Sequence, residues 1–335
     1  MIKRRSFLQS GAAILASGAI GIRDALANQT VELPFANGER PLVSYPGKRP
    51  LIQHTSRPPQ LETPFSVFNE GYLTPNDAFF VRYHMGDIPT SIDLEKYRIS
   101  IQGKVDKPLS LSLQELKTQF EPKEVIAVVQ CTGNSRGFVN PRVAGGQLGN
   151  GAMGNARWRG VPLRAILEKA GVQSGARQVV FGGLDQPASP ATPDFLKALD
   201  IDHARDNEVM VAYEMNGEEL PWLNGFPVRL VVPGYYSTYW IKHLNEIRVI
   251  NDVWDGFWMS KGYRVPDNPC SCVQPGEEET VTRPIERLTV RSFITNLTDG
   301  SLVRANDETL VKGIAFDGGF GIATVLFSRD GGKVW

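Results

Sequence analysis

Cysteine, histidine and net charge are all scarce in this 335-residue chain. Three cysteines cannot build a disulfide framework. The four histidines, at 54, 84, 203 and 243, are too scattered for a zinc signature. No C-x-x-C-H occurs, so no covalently attached c-type haem is encoded. Lys+Arg and Asp+Glu both number 36 and cancel, which argues against a nucleic-acid-binding protein, since that would need a basic stripe. No apolar run reaches bilayer-spanning length. Regular βαβ alternation and internal repeats are also missing, which favours an α+β fold over a doubly wound sheet. A hydrophobic share of 41% and a charged share of 21% leave a globular protein, long enough for two domains.

The N-terminus reads as an export signal. Lys3, Arg4 and Arg5 precede Ser-Phe-Leu, and the mild apolar stretch "GAAILASGAIGI" leads to Ala25-Leu26-Ala27, an A-x-A cleavage pattern. The paired arginines make residues 1–27 a twin-arginine signal, so the expected location is the periplasm, with no membrane span after cleavage. Cleavage removes four basic residues and one acidic residue. The mature chain keeps 32 and 35, a net charge of −3.

Residues 28–75 are rich in proline and polar residues and read as an irregular arm. "DAFFVRYHMGDIP" predicts a strand entering a loop. "YRISIQGKVDKPLSLSLQELKTQF" predicts strand, turn and short helix, with Ser112 as N-cap. "PLRAILEKAGV" has helical spacing and a stop at Gly171, while "RQVVFGGLD", "EVMVAYEMNG" and "FPVRLVVPG" predict strands. A linker is placed at 276–283, between a first domain at 28–275 and a second at 284–335. Beyond it, "RLTVRSFITN", "ETLVKGIAFD" and "IATVLFSRD" predict three strands of a β-sandwich. Such a sandwich needs about seven strands, so the expectation is a partial domain with an exposed strand edge.

The stretch "VIAVVQCTGNSRGF" raises the chemical question. A Val/Ile-rich strand ends on Cys131, and Arg136 follows the turn. A lone buried cysteine is most often a small core hydrophobe. At a strand-to-loop junction it is also well placed for presentation. No histidine lies near enough in sequence to serve as its base. A thiolate ligand needs only a soft metal and positive surroundings. Cys270 and Cys272, in the linker region, leave a disulfide and two free thiols both open.

"CTGNSRG", "GNGAMGNARWRGVPLRAILEKAG" and "VAYEMNGEELPWLNGFPVRLVVPGYYSTYWIKHL" occur in the order found in the sulfite oxidase family, which residues 65–275 resemble. The tail resembles that family's immunoglobulin-like dimerisation domain. The resemblance implies a mixed α/β molybdopterin domain, and within the family it points to periplasmic sulfite dehydrogenases that pass electrons to a c-type cytochrome. Cys131 is then the thiolate ligand of molybdenum. Arg82, Arg136, Tyr263 and His84 become active-site residues around sulfite. Phe80, Val81, Arg82, Tyr83, His84, Asp185, Asn224, Arg229, Trp240, Ile241 and Lys242 become the pterin contacts, with Arg229 and Lys242 on its phosphate. The resemblance also implies a homodimer or a separate haem subunit as partner, and no haem in this chain. Two departures concern the pocket: Asn224 replaces a histidine common in animal and plant members, and Leu148 replaces an animal tryptophan. A periplasmic methionine sulfoxide reductase on the same fold is the first alternative. It resembles the molybdenum domain alone, so the strands after 283 and the Arg82, Arg136 and Tyr263 set argue against it. The second is a non-enzymatic secreted β-rich binding protein, which metal analysis would separate.

Overall fold

A computed structural model describes residues 29–274, 276–277 and 281–335. The export signal expected at 1–27 lies outside the described residues. Where an irregular arm was expected, residues 28–75 instead contribute four strands, β1 Thr30–Glu32, β2 Glu39–Val43, β3 Leu51–Ser56 and β4 Pro59–Glu62. With β5, Val81–Arg82, they form one antiparallel sheet in chain order. Pro59 opens β4, where a missing amide hydrogen costs no ladder bond, and Pro41 lies inside β2 opposite Thr30.

The body of the protein is built on two further sheets. Its strands in chain order are β6 Ile99–Gly103, β7 Leu109–Leu111, β8 Lys123–Gln130, β9 Met153–Pro162 and β10 Gln178–Gly183. They continue with β11 Lys197–Asp200, β12 Met210–Met215, β13 Glu218–Glu219, β14 Arg229–Val231 and β15 Leu244–Ile250. One sheet runs β11-β10-β15-β6-β7, with β15 parallel to β6. The other runs β13-β12-β9-β8, with β14 added on β12. The mixed sheets and short helices make the fold α+β.

The main core lies on these sheets, with Phe79, Trp158, Phe181 and Trp240 all essentially buried. The helices are short. Ser112 caps α1, Leu113–Thr118, through a capping box with Glu115. Helix α2, Leu163–Ala170, buries Leu163, Ile166, Leu167 and Ala170 and stops at Gly171, whose φ of 70° is left-handed. Helices α3, Ile201–Ala204, and α4, Phe257–Ser260, are single turns. Among the described residues, no helix is long and apolar enough to cross a membrane.

Two antiparallel pairs follow, β16 Arg264–Pro266 with β17 Thr282–Pro284, and β18 Arg291–Ile294 with β19 Gly313–Phe316. Of the three strands expected in the tail, "IATVLFSRD" forms none, because no neighbouring segment pairs with it among the described residues. Cys270 and Cys272 are bridged.

Candidate active site

Strand β8 delivers Cys131 to the floor of a cavity of about 580 Å³. The thiol-bearing residue is buried, and the Gly133 amide donates to its sulfur at 3.4 Å. Arg82, His84, Arg136, Leu148, Trp258, Tyr263 and Arg264 line the same cavity. Arg136 fits there because its neighbours lack side chains. A β-carbon on Gly133 would lie 2.8 Å from the Arg136 Nη1, and one on Gly145 would lie 2.7 Å from it. The guanidinium donates to the Gly146 carbonyl at 3.3 Å, so most of its N–H groups remain available to an anion.

His84 and Tyr263, 179 positions apart, are hydrogen-bonded through Nε2 and the phenol oxygen. The His84 ring is stacked on Phe195 at 3.9 Å and flanked by Trp258 at 5.4 Å. Burial first, and then the cations Arg82, Lys242 and Lys197, hold the imidazole well below its usual titration range. Burial also pushes the Tyr263 phenol up to about 12, against the pull of Arg82 and Arg136. The pair is therefore neutral at ordinary pH, and with one proton used in the bond between them, one is left to offer to a third group.

Arg82 and His84 also face a second, narrow crevice, with Phe80, Asp185, Asn224, Arg229, Trp240, Ile241 and Lys242. Val81 and Tyr83 line neither cavity. They point the other way, into a small core with Leu51, Leu61 and Leu223, and the Tyr83 hydroxyl meets His243 Nε2 at 2.7 Å. This is the alternation of an extended backbone, so residues 80, 82 and 84 share one side.

The crevice is cationic. Arg229 is buried over the ring of Trp158 and donates to the carbonyls of Asn224 (2.9 Å) and Trp240 (3.2 Å). Its Nε has no hydrogen-bond partner among the described residues. Burial lowers the Lys242 ammonium to about 7 even though Asp185 opposes the shift. One carboxylate, Asp185, faces Arg82, Arg229 and Lys242. An excess of buried positive charge with an orphaned guanidinium N–H fits a phosphate-bearing ligand. A buried thiol beside it fits a soft metal.

Several supporting residues carry no signal in the sequence. Lys48 is buried behind the crevice and donates to the carbonyls of Asn76 (2.6 Å) and Phe79 (3.0 Å) and to Asn224 Oδ1 (2.5 Å). It thereby fixes the asparagine noted above as a departure. Glu62 is nearly buried beside His54 Nε2 (2.7 Å) and accepts the amides of Gly149 (2.9 Å) and Gly151 (2.8 Å). Those amides lie just before Ala152, whose carbonyl holds the Cys131 amide at 2.9 Å. Arg291 from β18 donates to Ser135 Oγ at 2.6 Å, tying the tail to the cysteine loop. Arg264 follows Tyr263 directly and was within reach of the same motif.

Two outcomes follow from these braces. Glu62→Ala leaves two buried amides without acceptors, at about 1–3 kcal/mol each. The expected loss is at least about 2 kcal/mol in denaturant unfolding, and an unmoved midpoint would contradict the brace. For Lys48, burial lowers the pKa from 10.5 to about 7, with Asp77 opposing. The unfolded chain then binds more protons between these values, so stability rises with pH across that window, by at most about 1.4 kcal/mol per pH unit for one group. Lys48→Met should flatten the rise between pH 7 and 9, and an identical slope in both proteins would count against it.

Comparison with known proteins agrees with this geometry. The oxidoreductase molybdopterin binding domain family matches residues 85–258. Sulfite oxidase of Gallus gallus is 35% identical over 328 residues, covering 95% of this chain and 68% of that protein. The chain belongs to the sulfite oxidase family. It is a molybdopterin oxidoreductase. The mitochondrial sulfite oxidase of Rattus norvegicus is 34% identical over 84% of this chain, which spans about half (52%) of that relative's length. The sulfane dehydrogenase SoxCD of Paracoccus pantotrophus shares the fold, with a TM-score of 0.65, 23% identity and coverage of 89% of this chain and 67% of that one. The family match includes Cys131, Arg136 and the crevice residues from Asp185 to Lys242, while Arg82, His84 and Tyr263 lie just outside it.

Proposed function

We propose that this protein oxidises sulfite to sulfate in the periplasm and passes the electrons to a separate c-type cytochrome. The observation that carries the reading is the cavity at Cys131, where Arg82 and Arg136 accompany the His84–Tyr263 pair. Guanidinium forks suit small oxyanions, and sulfite is largely a dianion near neutral pH. Conversion of sulfite and water to sulfate releases two protons and two electrons, which leave one at a time.

Cys131 would ligate molybdenum, Arg229 and Lys242 would hold the pterin phosphate, and Phe80, Asp185, Asn224, Trp240 and Ile241 would enclose the pterin. When bound, this cofactor supplies two-electron oxygen-atom transfer. The residues of the chain bind and orient the anion. With the imidazole proton on Nε2, His84 donates to the phenol oxygen and leaves the Tyr263 O–H for a sulfite oxygen. Leu148 and Trp258 give the cavity lining apolar surface, which would help limit water at the anion. The tail is read as part of the family's dimerisation domain, and the arginine pair at Arg4 and Arg5 as the export determinant.

Sulfite-dependent reduction of cytochrome c by the molybdenum-loaded protein is the test. Absence of molybdenum from protein folded and exported normally would remove the reading. Arg4→Lys with Arg5→Lys should hold the precursor in the cytoplasm, as fractionation would show.

A further inference from the structure

One buried charge near the cavity has no part in binding the anion or the cofactor. Lys197 opens β11 with none of its surface exposed, in a position where an aliphatic side chain would bury at no electrostatic cost. No carboxylate lies within ion-pair distance of it among the described residues. Burial lowers its pKa to about 7, with Glu286 opposing the shift. Its ammonium makes one hydrogen bond, to the carbonyl of Trp258 at 2.7 Å, and lies 4.5 Å from the ring centre of Tyr239 and 5.5 Å from that of Tyr263.

The segment it grips is one that needs holding. Tyr263 has a φ of 59°, in the left-handed region that a residue with a β-carbon rarely adopts. The single-turn helix α4 is too short to stand without tertiary contacts. Its other ties run to the far side. Arg264 bonds the Met259 carbonyl (2.9 Å) and Thr282, and the Ile285 amide bonds the Tyr263 carbonyl (2.8 Å). On the near side, the Trp258 indole reaches the Pro193 carbonyl at 3.1 Å. Lys197 adds a bond from β11, the edge strand of its sheet, placed where it can hold Trp258 beside His84 and Tyr263 at the cavity.

We propose that Lys197 is a positioning residue for Tyr263: through the Trp258 carbonyl and the faces of Tyr239 and Tyr263, its ammonium holds residues 258–263 so that the Tyr263 hydroxyl meets His84 at the anion cavity. This rests on the reading of that cavity as a sulfite site. Lys197 lines neither the anion cavity nor the cofactor crevice, so beyond the electrostatic push it adds on His84 it acts through the segment it holds.

The test is a double-mutant cycle on the molybdenum-loaded holoenzyme, with Lys197→Met, Tyr263→Phe and both together. Lys197→Met keeps the length of the side chain and removes its donors. A misplaced active-site group can cost on the order of 100-fold, so kcat/KM for sulfite should fall about 10- to 100-fold. In the Tyr263→Phe background the same change should cost less than about 3-fold, because its target is already disabled. Equal losses in both backgrounds would show that Lys197 acts independently of Tyr263 and overturn the proposal, as would near-wild-type activity of Lys197→Met. Should Lys197→Met fail to fold by circular dichroism, Lys197→Gln takes its place in the same cycle. Crystal structures of wild type and variant provide a readout apart from activity: the Tyr263–His84 contact should break in the variant, and an unchanged contact overturns the positioning role. If wild-type holoenzyme does not oxidise sulfite, the functional reading falls, and the crystal comparison still decides the role of Lys197.

Discussion

Cys131→Ser is expected to keep its fold and lose turnover. Serine is nearly isosteric with cysteine, and the Cys131 amide bond to Ala152 is untouched by the change. A hydroxyl is a harder and much less acidic ligand than a thiol, so it binds a soft metal poorly and donates less charge to it. Removing mere outer partners of a metal site costs about 10- to 100-fold. Loss of the proposed protein ligand should therefore lower sulfite turnover by more than about 100-fold. Activity is to be expressed per bound molybdenum, with the unfolding midpoint measured alongside. Near-wild-type turnover per metal would remove Cys131 from the reaction.

Arg136→Gln should weaken binding of the anion more than the chemical step. The substitution keeps some hydrogen bonding and removes the charge. A charge-assisted hydrogen bond is worth roughly 1.5–3 kcal/mol, which corresponds to about a 10- to 150-fold fall in kcat/KM. Most of it belongs in KM if bound sulfite and the transition state lose equally. Sulfate should inhibit the variant less well. Added salt should narrow the gap to wild type, because screening weakens the steering of a dianion into the cavity. Molybdenum content is the control and should not change, since Arg136 lies beside Cys131 without being a proposed ligand. Full metal with unchanged KM and kcat would leave Arg136 a purely structural residue that packs against Gly133 and Gly145.

Legibility in the sequence followed the range of the interactions involved. The helix at 113–118 and its Ser112 cap were readable because a helix satisfies its amides within one turn, and a cap acts three residues away. Gly171 was readable as a stop for the same reason. The strand ending on Cys131 was readable from its apolar run and the turn after it. The proposed active-site set came from the family resemblance rather than from local pattern, since nothing local joins His84 to Tyr263.

Strands of the 28–75 segment escaped because a strand exists only where a partner accepts its ladder. Here β1 to β4 serve as one another's partners in chain order, and only β4 finds its second neighbour, β5, outside the segment. The converse held for "IATVLFSRD", which has strand composition and no ladder. The family resemblance pointed to residues 80–84 as a group, yet not to which of them would line the crevice. Packing of Tyr83 against His243 settled that, turning Phe80, Arg82 and His84 to the crevice. Glu62, Lys48 and Lys197 are ordinary residues in ordinary sequence contexts. They matter because folding removes water from them and leaves each a few fixed partners, so a buried charge must hold whatever group it faces.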